Sequence, residues 1–300
     1  MNTALRTEQR DPDTVWIDDQ PTSTVIGMLL SHDRHAIDAA DRVREPLAEA
    51  VDATVARLRL GGTVHYFGAG ASGRLAMLDA SEITPTFGMA PDVFTSHFPG
   101  GSAALLDSSI DLEDSIDNGR QDARTITETS AAVGVSASGR TPYVAGALET
   151  ARSKGALTIL VTCNPEAELR QMADITVAAD TGAEALTGST RLSAGTATKT
   201  ILSAFSTAIM IKLGRVYSNL MIGVRPTNEK LRARAVGILA ELTHAPDAVC
   251  RAALEAADSD VAVALLSLLS EKDIETAQAA LRTANSVREA EHLLGREAIQ

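Results

Sequence analysis

TVHYFGAGASGRLAMLDASE, residues 63–82, runs from an apolar stretch through a glycine-rich turn into a helical pattern. TVHYFG (63–68) has the composition of a buried strand, and RLAMLDASE (74–82) repeats apolar residues at helical spacing. The same unit recurs downstream. DVFTSH (92–97) reads as a short strand and 102–117 as a helix. AAVGVSASGR (131–140) is again a strand entering a Gly/Ser turn, followed by a helix over 141–155 that Thr141 can cap, with Pro142 in its first turn. ALTILVTCN (156–164) and ADITVAA (173–179) add two more strands. Strands apolar on both faces and alternating with helices predict a five-stranded parallel sheet of the doubly wound, flavodoxin-like α/β class.

Outward from this core the pattern changes. Residues 1–24 are polar, carry Pro12 and Pro21, and read as an extended arm whose Trp16 and Ile17 could dock on the body or on a neighbour. An amphipathic helix is expected over 37–60, broken or kinked at Pro46 and stopped by Gly61–Gly62. Beyond residue 180 a polar Gly/Thr loop leads into a long buried helix over 193–213, and past Arg225 the chain is Ala/Leu-rich and helical. The expected organisation is an arm and helix (1–53), a sheet domain (54–217) and a C-terminal helical appendage (218–300).

The 300 residues are 45% hydrophobic and 22% charged, which suits one or two globular domains and argues against disorder. Thirty-nine acids against 27 bases give a net charge of −12, which disfavours nucleic-acid or anionic-membrane binding through bulk charge. No apolar run reaches the roughly 18 residues of a membrane span, and residues 1–13 lack the apolar core of a signal peptide. Cys163 and Cys250 are far apart, as reduced core thiols of a cytoplasmic protein would be.

Gly68, Gly70 and Gly73 fit GxGxxG, but the second strand ends Thr95-Ser96-His97 without the acid that a dinucleotide ribose requires. The loop instead offers Ser72 among the free amides of a helix start, either as an anion ligand or as a plain cap. A second loop, Ser136-Ala137-Ser138-Gly139-Arg140-Thr141, supplies three more hydroxyls at another helix start. In a doubly wound sheet both would converge beyond the strand ends, as a cradle for a monophosphate. Glu82, Glu113 and Glu184 are the candidate carboxylates. Glu82 has apolar and Thr neighbours, and Pro85 predicts that the helix ends beside it; partial burial there would raise its pKa and suit a general acid. Taken alone, Glu113 reads as a solvated charge. The six histidines show no metal-ligand spacing, and His65 reads as a satisfied core histidine.

TEQRD (7–11), GAGASGRLAMLDASEITPTFG (68–88), SASGRTPYVAGALETARSKG (136–155), CNP (163–165), EALTGSTRLSAGTATK (184–199), NLM (219–221) and TNEKLRARAV (227–236) together resemble the N-acetylmuramic acid 6-phosphate etherases, a family of the sugar-isomerase (SIS) domain superfamily. GxGxSG by itself indicates only a SIS domain; the DASE and EALTGSTRL blocks separate etherases from aldose–ketose isomerases. The resemblance implies hydrolytic removal of D-lactate from N-acetylmuramic acid 6-phosphate in cell-wall amino-sugar recycling. It implies a homodimer with sites near the subunit interface and no metal or other cofactor. It places the proton donor at Glu82, and a base or water-positioning group at Glu113. Gly70, Ser72, Gly73, Ser136, Ser138, Gly139 and Thr141 would hold the sugar 6-phosphate, and Glu184 would meet sugar hydroxyls. Two departures stand out: Ala71 replaces a more usual Thr, and Ile83-Thr84 a more usual Cys-Pro. The glucokinase regulatory protein shares parts of these blocks, so a sugar-phosphate sensor without turnover, or an isomerase, is the alternative.

Overall fold

The computed structural model describes residues 6–107, 112–226 and 228–295. By contacts the chain divides into two units, one of residues 6–81 and 92–207, the other of 82–91 and 208–295. Two helices pass from one unit to the other, α3 (Gly70–Phe87) and α7 (Ser193–Lys212).

The first unit holds β1 (Val64–Gly68), β2 (Phe94–His97), β3 (Ala131–Val135), β4 (Leu157–Thr162) and β5 (Ile175–Ala178) in one parallel sheet of order β2-β1-β3-β4-β5. This is the expected doubly wound sheet. Every residue of β1, β3 and β4 is buried, as strands covered on both faces require. The chain leaves β1 for β2 on one side and returns to β3 on the other, so the switch point lies between β1 and β3. Gly68 pairs with Val135 in register, and the loops that follow these two strands therefore emerge side by side.

The helix expected over 37–60 is two helices, α1 (Thr22–Arg42) and α2 (Arg44–Arg59), broken at Val43 rather than at Pro46. Pro46 sits in the first turn of α2, where its missing N–H has no intrahelical acceptor to lose. The arm forms 3-10 turns at Arg6–Glu8, Pro12–Thr14 and Ile17–Asp19, and Trp16 is 72% exposed. The helix expected over 102–117 does not form as one piece. α4 spans Gly101–Leu106, and Ser115, extended at φ −89° and ψ 98°, caps α5 (Ile116–Asp122) by accepting from the Asn118 amide at 3.2 Å. Part of that expectation, residues 108–111, lies outside the described residues. α6 (Pro142–Ser153) follows β3.

In the second unit, α8 (Glu229–Thr243), α9 (Asp247–Ala256), α10 (Val261–Ser270), α11 (Ile274–Thr283) and α12 (Val287–Leu293) pack around a core that includes Leu239, Ala264, Leu265 and Leu266. Asn228, Asp260, Asp273 and Ser286 cap α8, α10, α11 and α12 through their side chains. The helical region expected past Arg225 is thus present. A two-residue hairpin ladder, β6 (Val216–Tyr217) with β7 (Leu220–Met221), precedes it.

Candidate active site

Three glycines build the turn after β1, two through their close approach and one through its backbone angle. A β-carbon on Gly73 would stand 2.3 Å from the Gly68 carbonyl oxygen, and one on Gly68 would stand 2.9 Å from Gly73. The strand end and the first turn of α3 therefore touch through bare backbone. Gly70 has φ +54°, the left-handed region, with open space except for the Glu113 carboxylate 3.9 Å from where its β-carbon would be. Because α3 begins at Gly70, Ser72 lies inside the first turn and is not its cap. Its side chain is half-buried and makes no hydrogen bond among the described residues.

The loop after β3 is tied more tightly. Ser136 and Thr141 share a hydrogen bond at 2.8 Å, Gly139 donates its amide to Ser136 Oγ at 3.0 Å, and Arg140 donates its amide to Ser138 Oγ at 3.3 Å. Asn164 Nδ2 donates to the Ser138 carbonyl at 2.9 Å, which fastens the CNP segment after β4 to this loop. Thr141 does not cap α6 through its side chain; its hydroxyl faces Ser136 and Glu113 Oε1 instead, the latter at 3.5 Å. Ser136 and Thr141 are buried, so Ser138 is the more accessible hydroxyl of the three.

Glu113 thus stands at the lip of both loops. It lies in a turn before α5, and its carbonyl accepts the Tyr143 amide at 3.0 Å, which pins the turn to the start of α6. The solvated-charge reading of Glu113 is correct as to exposure, yet the contacts with Thr141 and Gly70 were not visible in the sequence. Glu82 is on α3 as expected, but α3 continues past it through Pro85 to Phe87, because a proline removes one helical bond and Gly88, at φ +64°, closes the last turn onto Thr84 at 2.9 Å. Glu82 is exposed, contrary to the partial burial expected. The helix carries it ten residues past Ser72, about 15 Å at the α-helical rise.

Glu184 has another occupation than meeting sugar hydroxyls. It is fully buried, and its two carboxylate oxygens accept the amides of Ser193 and Ala194, each at 2.9 Å. It caps the first turn of α7, where a negative charge also meets the positive end of the helix dipole. Glu184→Ala would leave two buried donors unpaired; a stability loss of about 2–4 kcal/mol is expected in urea unfolding, with roughly half restored in Glu184→Gln. Equal stability of Glu184→Ala and the wild type would remove this role.

The arm reaches the same neighbourhood. Gly188 donates its amide to the Thr7 carbonyl at 3.0 Å, the Glu8 carboxylate lies against Gly188, and Arg6 pairs with Asp180. Two blocks of the resemblance far apart in sequence, 7–11 and 184–199, are therefore in contact. His65 is a satisfied core histidine, bonded to Thr63 at 2.8 Å and His97 at 3.0 Å, and burial pushes it down to about 4. Burial pushes the Cys163 thiol up to about 12, so it is no nucleophile. Among the described residues no group of three or more His, Cys, Asp or Glu is placed to hold a metal.

The sheet and its two hydroxyl loops lie in the part of the chain that matches SIS-domain models. The family model for the SIS domain matches residues 115–208, and that for the glucokinase regulatory protein N-terminal SIS domain matches residues 46–152. A phosphoheptose isomerase from Francisella tularensis shares the fold, with TM-score 0.52 and 19% identity over 64% of this chain and all of that one. An N-acetylmuramic acid 6-phosphate etherase of Thermobifida fusca (strain YX) is 49% identical, covering 88% of this chain and 87% of its own. One from Pectobacterium atrosepticum is 44% identical over 97% of this chain and 96% of its own. The chain belongs to the N-acetylmuramic acid 6-phosphate etherase family.

Proposed function

We propose that this protein cleaves the lactyl ether of N-acetylmuramic acid 6-phosphate with water, releasing D-lactate and N-acetylglucosamine 6-phosphate. The observation that carries the reading is Glu113 at the lip of two hydroxyl-bearing loops on neighbouring strands, in a chain of the etherase family. Ser72, Ser138 and the amides around them hold the 6-phosphate, and binding energy at that end of the substrate orients the carbons at the other. In the open-chain sugar the C1 aldehyde acidifies the C2 proton, and the ether oxygen on C3 is β to that carbonyl. Glu113 takes the C2 proton as the C3–O bond breaks, Glu82 as a carboxylic acid protonates the departing lactate oxygen, and a C2=C3 double bond forms. Water then adds its hydroxyl to C3 and a proton to C2. The pair must work in opposite protonation states, which unlike surroundings can provide. D-lactate release from N-acetylmuramic acid 6-phosphate tests the reading; binding without release would point to a sensor, and a ketose product to an isomerase.

The working form in this reading is a homodimer, in the cytoplasm, where two buried free thiols are at home. Ile26, Leu30 and Ile37 form a half-exposed apolar stripe along α1, and Leu78, 54% exposed, lies one turn before Glu82 on α3. Both suit a face covered by a second copy. With Glu82 so far along α3 from Ser72, the acid is supplied to the cradle of the partner. Mixing Glu82→Gln with Glu113→Gln subunits is then expected to restore about a quarter of the wild-type sites, since half of the dimers are mixed and each has one intact pair. No recovery after subunit exchange would mean that each chain supplies both carboxylates.

A further inference from the structure

We infer that Asp79 is a positioning residue for this reaction, holding α3 in the rotation that aims Glu82, an inference that rests on the reading of Glu82 above. Asp79 lies one turn before Glu82 on α3, with its carboxylate turned inward. Tyr66 of β1, completely buried, donates its hydroxyl to Asp79 Oδ2 at 2.8 Å, and Ser206 of α7 donates to Oδ1 at 2.9 Å. One side chain thus links the central strand and a long helix to α3. A helix packed by small and aliphatic residues alone can turn by several degrees with little loss, because such contacts are not directional. Two hydrogen bonds of fixed length to the two oxygens of one carboxylate remove that freedom.

Two features separate this from ordinary core satisfaction. Burial raises the Asp79 carboxyl to about 6, only partly offset by the two hydroxyl donors and by the charge of Lys199 on α7. A carboxyl raised in this way binds its proton more tightly folded than unfolded, so its contribution to stability falls as pH rises from about 4 to about 6. Above that window the fold bears the charge at a loss, where an asparagine would not. The second feature is polarity. Tyr66, whose burial holds it protonated, can only donate to Asp79 as long as an acceptor is offered, and the carboxylate is the form that accepts from Tyr66 and Ser206 together. Protonation converts one acceptor into a donor, so one hydroxyl partner must turn its hydrogen elsewhere, Ser206 toward the Ser203 carbonyl at 3.5 Å, and the paired acceptance that fixes the carboxylate is lost. Among the described residues, the titratable and charged groups that act on Asp79 are Tyr66 from β1 and Lys199 from α7.

The test is Asp79→Asn in the full-length protein, assayed for D-lactate release from N-acetylmuramic acid 6-phosphate between pH 5 and 8, beside the wild type and Glu82→Gln. The expected result is a kcat lowered about 10- to 100-fold with KM within about twofold, because the phosphate loops are untouched. The wild-type acid limb near pH 6 should be missing from the variant, a signature that loss of packing would not produce. Ser206→Ala, which removes one link only, should move kcat in the same direction by less, and it serves if Asp79→Asn fails to fold. An unchanged kcat, or kcat and KM altered in proportion, overturns the inference. Should the wild type release no lactate, the functional reading fails by itself. Amide hydrogen exchange over residues 81–87 then decides Asp79: faster exchange in the variant at pH 7.5 upholds the tether, and equal exchange overturns it.

Discussion

Replacing Glu82 with glutamine is expected to lower D-lactate release by roughly 10²- to 10⁴-fold, the range that a general acid contributes. Affinity for N-acetylglucosamine 6-phosphate, measured by calorimetry, should stay within about threefold, since the change keeps shape and leaves the groups proposed to hold the 6-phosphate untouched. The fold should not respond either, because Glu82 is exposed and no buried partner is left unpaired. Expulsion of an alkoxide from C3 is the step that most needs a proton. An amide in that position can donate a hydrogen bond but cannot transfer the proton. Glutamine therefore separates the two duties of the residue, contact and proton transfer. Turnover at the wild-type rate would dismiss Glu82 as the acid and leave Glu113 to serve both steps.

The sheet was legible in the sequence because its evidence is local. A strand buried on both faces has no polar alternation to disguise it, and each was followed by residues that can only turn or start a helix. The two hydroxyl-bearing loops after β1 and β3 were legible for the same reason. What the sequence did not reveal depends on contacts between distant segments. The turn that carries Glu113 looked like the middle of a helix, since Ser115 is an unremarkable residue until its backbone is extended and its hydroxyl meets Asn118. The resemblance implied contact with sugar hydroxyls for Glu184, and nothing local announced its bonds, because only the path of the chain brings the α7 amides to it. Asp79 drew no expectation from the sequence. One signal was present: an acid at the same helical step as apolar residues, opposite a strand containing tyrosine. The partial burial expected of Glu82 is absent, because burial on a helix depends on what covers it, and that is not encoded in local spacing.

Gly139→Ala should be among the most damaging single changes in the sheet unit, although it adds one methyl group. Gly139 has φ +66°, and a β-carbon there would stand 2.2 Å from the Ala167 β-carbon and 3.0 Å from Thr162 Oγ1. Two separate penalties are involved, and the protein contains the means to tell them apart. Gly182 has φ +73° with nothing within 4 Å of its missing β-carbon, so Gly182→Ala bears the backbone penalty alone, about 1 kcal/mol. Gly139→Ala bears the same penalty plus the collision, and about 3 kcal/mol or more is expected from urea unfolding midpoints. Neither neighbour can retreat cheaply. Ala167 is buried, and the Leu169 amide bonds the Gly139 carbonyl at 3.1 Å, so the segment after β4 and the loop after β3 would have to separate. That separation pulls the Gly139 amide from Ser136 Oγ and with it the arrangement of Ser136, Ser138 and Thr141. Affinity for the sugar 6-phosphate should accordingly fall more than about tenfold in Gly139→Ala. It should be unchanged in Gly182→Ala. Equal stability losses in the two variants would mean that the loop yields freely to the added carbon, and a cradle so yielding could not hold a phosphate in the place the chemistry needs.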